Sequence, residues 1–359
     1  MIGSTTSGGR VPGPLRLAVV DDSAFVRKAI QRMLDAEPGI DVVGTASSGE
    51  ELLANLEKWN PDVITLDLSM PGIGGLVTLD RVMAMRPTPV IILSTHAGRG
   101  APQTIEALHR GAADFVDKQQ YSLLDFSALR EILVQKVLAV AGSVDPVPRP
   151  VVGPTLVHGE LGSGYDMLLI GASTGGPPAI EQVLQDLGAD CPVPVLVVQH
   201  MPQGFTRAFA DRLNSHLPLE VREAEDLMVI EPGRVYIAPG GKHLRIIRDG
   251  DRNVCSLSLK PDGVPHRPAV DELFLSALPS ARRVAVALLT GMGRDGAEGM
   301  RQLAALGAFT VAQDEATSVV YGMPGAAVSL RAAREVLPLP RIGPRLRSVL
   351  AERRPVAVL

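Results

Sequence analysis

The sequence has few cysteines, few aromatic residues and no excess of positive charge. Its two cysteines, Cys191 and Cys255, lie far apart and outside any metal-binding spacing, so we do not expect a structural disulfide. Aromatic residues make up only 3% of the chain, so its cores must consist mainly of Leu, Val, Ile and Ala. A net charge of −4 provides no electrostatic footprint for nucleic acid, which disfavours a DNA-binding protein.

Long apolar segments are absent as well. No apolar run approaches the roughly 20 residues that a membrane span needs. Residues 1–14 are rich in Gly, Ser, Thr and Pro and lack the apolar core of a signal peptide. We therefore expect a soluble cytoplasmic protein that does not insert into a membrane, with a flexible N-terminal tail over residues 1–14.

Two series of short apolar runs predict the fold class. The runs alternate with segments of helical spacing, which predicts βαβ units and parallel sheets. The runs of the first series lie at residues 15–20, 42–46, 63–68, 90–94 and 114–116. Those of the second series lie at residues 166–170, 193–198, 235–238 and 284–289.

The predicted fold class is α/β, with two doubly wound parallel-sheet domains. The first domain covers residues 15–140, and the second, with three layers, covers residues 165–359. Between them, residues 141–164 are proline-rich and lack a periodic apolar face, which predicts a linker. With 359 residues, the chain is long enough for two such domains.

Charged residues stand at the predicted carboxyl ends of strands in the first domain. Asp21 and Asp22 follow the first strand, Asp67 ends the third, and Lys118 follows the fifth. These ends share one edge of a parallel sheet, and carboxylates gathered there repel one another unless a cation is bound. Oxygen ligands suit Mg²⁺, beside which one carboxylate can act as a nucleophile toward a phosphoryl group. Helix capping is the alternative for Asp21 or Asp22 alone.

Residues 15–140 resemble a response-regulator receiver domain. The resemblance rests on the paired Asp21 and Asp22, on Asp67-Leu-Ser-Met-Pro with Gly75 after it, and on Lys118. It implies that Asp67 accepts a phosphoryl group from a histidine kinase.

The same resemblance implies a set of metal ligands and switch residues. Mg²⁺ would be held by Asp21, Asp22, Asp67 and the main-chain carbonyl of Ser69. Lys118, the hydroxyl of Ser94 and the aromatic ring of Phe115 would form the switch. Gln119 departs from the proline usual after the lysine, which concerns the shape of the loop and not the chemistry.

Ser173 is the candidate nucleophile of the second domain. It lies in GASTGGP, between a predicted strand and a predicted helix, and fits the G-x-S-x-G pattern of a nucleophile elbow. The small residues let a substrate approach closely, and the helix N-terminus favours negative charge. The alternatives are a phosphate-binding glycine turn or a tight joint between strand and helix.

A serine nucleophile needs a base and an acid that orients the base. His200 ends the strand VPVLVVQ and is expected on the same sheet edge as Ser173, whereas His243 and His266 have the character of loop or substrate-side residues. Asp295 follows another apolar run within GMGRDG and is the first choice for the acid. Asp314, in AQDE, ranks second.

The order Ser, His, Asp differs from the Ser, Asp, His order of the usual α/β-hydrolases and disfavours that fold. The glycine-rich turn before Asp295 also makes the amide of Met292 a candidate oxyanion donor.

The second domain resembles, over nearly its whole length, the catalytic domain of the chemotaxis protein-glutamate methylesterase family, CheB. The resemblance rests on the stretches GASTGGP, VVQHMPQGFTRAFADRLN, VYIAPGGKHL, HRPAVDELF, LLTGMGRDGAEGM and QDEATSVVYGMPGAA. It implies Ser173 as nucleophile, His200 as general base, Asp295 as its orienting acid and the Met292 N–H in the oxyanion hole.

This family resemblance also implies the substrate and the partners. The enzyme would hydrolyse methyl esters of glutamate side chains on chemoreceptor cytoplasmic helices, release methanol and deamidate receptor glutamines. It would act as a monomer and need no cofactor in the hydrolase domain. We hypothesise that the unphosphorylated receiver covers the Ser173 cleft until Asp67 is phosphorylated.

Three alternatives differ in class. A receiver fused to a non-catalytic binding module is disfavoured by the complete set of Ser173, His200 and Asp295. A transcriptional regulator would need a recognition-helix module, and the sequence offers none. A receiver-controlled esterase with a different substrate differs only in what it binds, and activity on a simple ester alone would favour it.

Overall fold

The computed structural model describes residues 13–94, 100–118, 126–142 and 164–351. The predicted N-terminal tail, most of the predicted linker, Gln119 and residues 352–359 lie outside the described residues. No helix among those described is both long enough and apolar enough to span a bilayer.

A parallel sheet flanked by helices forms the N-terminal domain. Its elements are β1 (Leu15–Val20), α1 (Ala24–Asp35), β2 (Ile40–Ala46), α2 (Gly49–Trp59), β3 (Val63–Asp67), α3 (Gly74–Met85), β4 (Val90–Ser94), α4 (Gly100–His109), β5 (Asp114–Asp117) and α5 (Phe126–Val140). The strand order is β2-β1-β3-β4-β5, so the direction of winding reverses between β1 and β3. Sites in open α/β sheets form at such a reversal, outside the carboxyl ends of the strands.

Local sequence signals account for several of these elements. Every residue of β3 and β4 is buried, as expected for strands covered by helices on both faces. The α1 helix begins after Ser23, whose hydroxyl accepts the Val26 N–H at 3.4 Å. The β2 strand begins at Ile40 and is longer than predicted, because Ile40 pairs with Leu15 at the start of β1.

A larger parallel sheet forms the C-terminal domain. Its elements are β6 (Met167–Ala172), α6 (Gly176–Leu187), β7 (Val195–Gln199), α7 (Phe205–His216), β8 (Glu220–Glu223), β9 (Arg234–Ile237), β10 (His243–Asp249), β11 (Arg252–Ser258), α8 (Val270–Ser276), a 3₁₀ helix (Leu278–Arg283), β12 (Val284–Leu288), α9 (Ala297–Ala305), β13 (Phe309–Gln313), α10 (Met323–Ser329), β14 (Glu335–Leu337) and α11 (Leu339–Ala351). The strand order is β14-β13-β12-β6-β7-β9-β8, with the reversal between β6 and β12. The predicted α/β class is confirmed.

Several strands of the C-terminal domain were not predicted, namely β8, β13 and β14 of the parallel sheet and the β10–β11 pair. The β10 and β11 strands pair antiparallel with each other and belong to neither parallel sheet. Gly250 makes the turn between them with a positive φ of 56°. Both strands mix polar and apolar residues, which gave no clear strand pattern.

The two domains share buried apolar contacts. A single cluster of buried side chains includes residues of the N-terminal domain, such as Ile105 and Phe115, and of the C-terminal domain, such as Phe205 and Phe209. The contact between the domains is therefore packed like a core, which favours a defined arrangement over free movement.

Candidate active site

Ser173 and His200 lie side by side at the ends of neighbouring strands. Ala172 of β6 pairs with Gln199 of β7, and the His200 N–H donates to the Ala172 carbonyl at 3.1 Å. Ser173 and His200 are the next residues on each strand. Gly175 then takes a φ of 75°, which lets the chain turn sharply from Ser173 into α6.

His200 is paired with Asp295. Its Nε2 lies 2.7 Å from Asp295 Oδ2, and the two side chains are only 7% and 14% exposed. The other ring nitrogen, Nδ1, is buried and has no hydrogen-bond partner among the described residues. Since Nε2 is engaged by the acid, Nδ1 is the atom left to exchange a proton with Ser173.

Asp295 is held in place by the backbone at the start of α8. The N–H groups of Val270 and Asp271 donate to its two carboxylate oxygens at 2.6 and 2.9 Å. Burial opposes ionisation of this carboxyl, but the hydrogen bond and charge of His200 and these N–H groups outweigh it and lower the pKa of Asp295. Asp295 therefore stays ionised at neutral pH, as an acid that orients a histidine must.

The segment before Asp295 passes directly over Ser173. The Ser173 N–H donates to the Thr290 carbonyl at 3.0 Å, and a Cβ on Gly291 would lie 2.8 Å from that of Ser173. Only glycine allows so close an approach. The next residue is Met292, and no hydrogen bond within the described parts of the chain uses its N–H, which leaves it available to an oxyanion.

Three polar residues that support this site were not predicted. The Thr290 hydroxyl donates to the Thr174 carbonyl at 2.9 Å, and Gln199 Nε2 donates to the Ser173 carbonyl at 2.8 Å. Gln313 Oε1 accepts the Thr290 N–H at 2.8 Å. Gln199 and Gln313 end apolar strands and Thr290 comes two residues after one, so a polar residue at the end of an apolar run was the available signal.

The second-ranked acid and one histidine are found elsewhere. Asp314 accepts the N–H and hydroxyl of Thr317 at 3.0 and 2.6 Å, within its own loop. His243 was predicted as a loop or substrate-side residue, and its placement in a loop is wrong. It begins β10, is fully buried and accepts the Ala269 N–H at Nδ1, at 3.2 Å.

Asp271 is expected to make stability depend on pH. Its pKa is raised to about 6, mainly by burial and also by Asp295 and Glu298, against the lowering effect of the Gly299 and Gly296 N–H groups. A carboxyl whose pKa is raised on folding favours the folded state below its ordinary value and loses that contribution as pH rises through the folded value.

Asp271→Asn should therefore stabilise the protein above about pH 6 and have little effect near pH 4. Partial exposure of the Asp271 side chain limits the expected increase in the free energy of unfolding to about 2 kcal/mol. Thermal melts of the wild type and of Asp271→Asn, near pH 4 and above about pH 6, measure this difference in stability. An equal effect of the substitution at both values would contradict the assignment.

An acidic cluster lies at the carboxyl edge of the N-terminal sheet. Oxygen atoms of Asp21, Asp22 and Asp67 lie within 4.8 Å of one another. Lys118 Nζ lies 3.0 Å from both Asp21 and Asp67. Burial raises the pKa of Asp21, with a further rise from Asp67, and these effects outweigh the opposing charge of Lys118. An additional cation would offset the repulsion between these carboxylates, and the all-oxygen donor set fits Mg²⁺.

The remaining receiver residues surround this cluster or the domain contact. The Ser69 N–H donates to Asp67 Oδ1 at 3.2 Å. Ser94 ends β4, is buried and accepts from the Thr104 hydroxyl at 2.5 Å. The buried ring of Phe115 packs against Phe205 of the C-terminal domain, with centroids 4.6 Å apart.

The N-terminal domain contacts the nucleophile turn directly. Gly175 donates its N–H to the Ala113 carbonyl at 3.1 Å, and the Thr174 hydroxyl donates to the Asp114 carboxylate. Thr174 and Gly175 are the two residues that immediately follow Ser173. The first domain therefore borders the candidate catalytic serine.

Comparison with known proteins identifies the family. Residues 17–126 match the response regulator receiver domain, and residues 168–346 match the CheB methylesterase family. Protein-glutamate methylesterase/protein-glutamine glutaminase 1 of Xanthomonas campestris pv. campestris is 44% identical over 95% of this chain and 99% of that protein. The chain belongs to this methylesterase/glutaminase family.

Other members and one solved structure agree. The protein-glutamate methylesterase/protein-glutamine glutaminase of Symbiobacterium thermophilum is 43% identical over 96% of this chain and 99% of its own. The crystal structure of the Thermotoga maritima CheB methylesterase catalytic domain is 37% identical, with a TM-score of 0.50, and covers 52% of this chain and 99% of that one. Membership of the methylesterase/glutaminase family confirms the predicted resemblance and the prediction that the chain is a hydrolase with a receiver domain. The roles of Ser173, His200 and Asp295 stay predictions supported by their geometry.

Proposed function

We propose that this methylesterase removes methyl groups from glutamate side chains on the cytoplasmic helices of chemoreceptors and deamidates receptor glutamines. Ser173, His200 and Asp295 carry out the reaction in the cytoplasm, under control of phosphorylation at Asp67. The observation that carries this proposal is the bond between His200 Nε2 and Asp295, with Ser173 and His200 at the ends of neighbouring strands and Nδ1 without a partner among the described residues.

The proposed reaction proceeds through an acyl-enzyme. Ser173 Oγ attacks the ester carbonyl while His200 Nδ1 takes its proton, and Asp295 stabilises the imidazolium that forms. The Met292 N–H donates to the oxyanion, and one such donor is worth about 10²–10³ in turnover. His200 then gives the proton to the leaving ester oxygen, which departs as methanol when the C–O bond breaks, or to the leaving nitrogen of a glutamine, which departs as ammonia. Water repeats the cycle and frees the glutamate.

Asp67 is the proposed phosphoacceptor of the receiver domain. Its carboxylate takes the phosphoryl group from a histidine kinase, and Lys118 Nζ contacts the transferred group. Asp21, Asp22, Asp67 and the Ser69 carbonyl would hold Mg²⁺, which offsets the negative charge that gathers at this edge.

The receiver domain is proposed to hold the hydrolase in a low-activity state. The contacts of Asp114 and Ala113 with the two residues after Ser173 support this role. Phosphorylation at Asp67 biases the receiver toward a second arrangement, through Ser94 and Phe115, that no longer fits this surface.

Methanol release from methylated receptor membranes tests the function. We expect release by the full-length enzyme, a rise on addition of a small-molecule phosphodonor with Mg²⁺, and a fall on the order of 10⁶-fold with Ser173→Ala. Loss of the rise in Asp67→Asn would support the phosphoacceptor. Release from a simple ester but not from receptor membranes would point to a different substrate, and release from neither to a binding role.

An ion pair across the domain contact offers a sharper test of receiver control. Arg212 of α7 pairs with Glu106 of α4, and the two side chains are partly buried, at 21% and 33% exposed. Glu106→Arg or Arg212→Glu would place like charges in this contact and weaken docking. We expect methanol release without phosphodonor to rise about 10-fold in each single variant.

The double variant Glu106→Arg with Arg212→Glu restores the pair between the domains in the opposite sense, while the bond from Arg110 Nε to Glu106 at 2.8 Å is lost in it as in Glu106→Arg. It should return release without phosphodonor toward the wild-type level. Single variants that behave like the wild type, or a double variant as active as the singles, would show that this pair does not restrain the enzyme.

A further inference from the structure

A second histidine ring covers the face of the proposed base. The rings of His200 and His266 are stacked, with centroids 4.1 Å apart and planes inclined by 23°. His266 lies in the loop between β11 and α8 and is partly buried. No step of the proposed reaction uses it, although it contacts the residue that moves the proton.

We propose that His266 is a positioning residue for this hydrolysis, whose stacked ring fixes the plane of His200 so that Nδ1 faces Ser173. This inference rests on the proposed function of Ser173, His200 and Asp295.

The need for such a contact follows from how His200 is held. A single hydrogen bond from Nε2 to Asp295 fixes one point of the ring but leaves rotation about that bond open. Rotation would swing Nδ1 away from the serine. A flat ring packed on the imidazole face opposes the rotation, because tilting either ring separates the two surfaces.

The loop that carries His266 is fixed by two hydrogen bonds from the residues that follow His266. The Arg267 carbonyl accepts the Gly241 N–H at 3.0 Å, and the Ala269 N–H donates to buried His243 Nδ1 at 3.2 Å. The next two residues after Ala269 are those that hold Asp295. One anchored segment thus orients both the acid and the ring on His200.

The stacked ring must remain uncharged when His200 takes its proton. Burial, above all, and the neighbouring His200 lower the pKa of His266 to about 4, with Lys136 of the receiver acting in the same direction and Asp295 opposing. His266 is therefore neutral at working pH. A neutral aromatic face beside the imidazolium avoids the repulsion that a second cation would cause.

Two variants separate positioning from other roles. His266→Ala removes the ring, whereas His266→Phe keeps a flat face that cannot titrate. In the full-length enzyme with phosphodonor and Mg²⁺, we expect His266→Ala to lower kcat for methanol release about 10- to 100-fold with KM nearly unchanged. His266→Phe should restore most of the lost kcat and keep the wild-type pH profile above about pH 5.

A second readout does not depend on receptor binding. A fluorophosphonate reacts with an activated serine when Ser173 Oγ bonds to phosphorus and fluoride leaves, so its rate reports the orientation of His200. This rate should fall in His266→Ala by the same factor as kcat and recover in His266→Phe. Thermal melts of the three proteins show whether each variant is folded.

Several outcomes would overturn the proposal. An unchanged kcat in His266→Ala, a loss confined to KM, or a folded His266→Phe as slow as His266→Ala would each do so. The last would point to proton transfer by His266 itself. If wild-type protein released no methanol from receptors but reacted with the fluorophosphonate at Ser173, the substrate proposal would fail while the role of His266 could still be measured.

Discussion

Ser173→Ala is expected to lower the turnover of the phosphodonor-activated enzyme by on the order of 10⁶-fold, with receptor binding and fold retained. The substitution removes the atom that is proposed to form the acyl bond. Among the described residues no hydrogen bond engages Ser173 Oγ, so alanine breaks no structural contact. A remnant of activity should persist, because the Met292 N–H and bound substrate still favour attack by water.

Methanol release and a thermal melt measure the two parts of this expectation. Ser215→Ala is the matched control, because Ser215 lies exposed on α7 and its hydroxyl bonds to the Arg212 carbonyl and to His216 Nδ1, both within its own helix. Ser215→Ala should keep full turnover. Substantial release by Ser173→Ala would mean that another group attacks the ester, and would remove the basis for the proposed base and acid as well.

The sheet edge that carries the site could be predicted because strands and the residues after them are local in sequence. Buried parallel strands appear as unbroken apolar runs, and the runs at 15–20 and 90–94 coincide with β1 and β4. A residue that follows such a run must lie on the common carboxyl edge. This argument is enough to bring Ser173 next to His200 and Asp21 next to Asp67.

Contacts between distant segments could not be predicted in this way. Nothing local to HRPAVDELF indicates that His266 stacks on His200 or that Val270 donates to Asp295. The error over His243 has the same origin. Its neighbour Lys242 and the preceding glycines are typical of an exposed turn, whereas His243 is buried and its ring accepts the N–H of the distant Ala269. The ranking of Asp295 above Asp314 came from the glycines around Asp295, which signal close backbone approach.

Asp295→Asn is expected to reduce turnover by on the order of 10⁴-fold. Asparagine can still bond to His200, but it carries no charge to stabilise the imidazolium, and its amide hydrogens favour the wrong tautomer of the ring. It also faces two backbone donors, from Val270 and Asp271, with only one acceptor oxygen. Some loss of stability should therefore accompany the loss of rate.

Asp314→Asn tests Asp314, the second candidate for the acid that orients His200, because it makes the same chemical change in a neighbouring loop. Asp314 bonds within its own turn to Thr317, and an asparagine there keeps an acceptor for that N–H. We expect turnover close to that of the wild type. Single-turnover measurements of methanol release at saturating phosphodonor compare the two variants without interference from receiver docking. If Asp314→Asn were the slower enzyme, the bond between His200 and Asp295 would be structural and the acid would have to be reassigned.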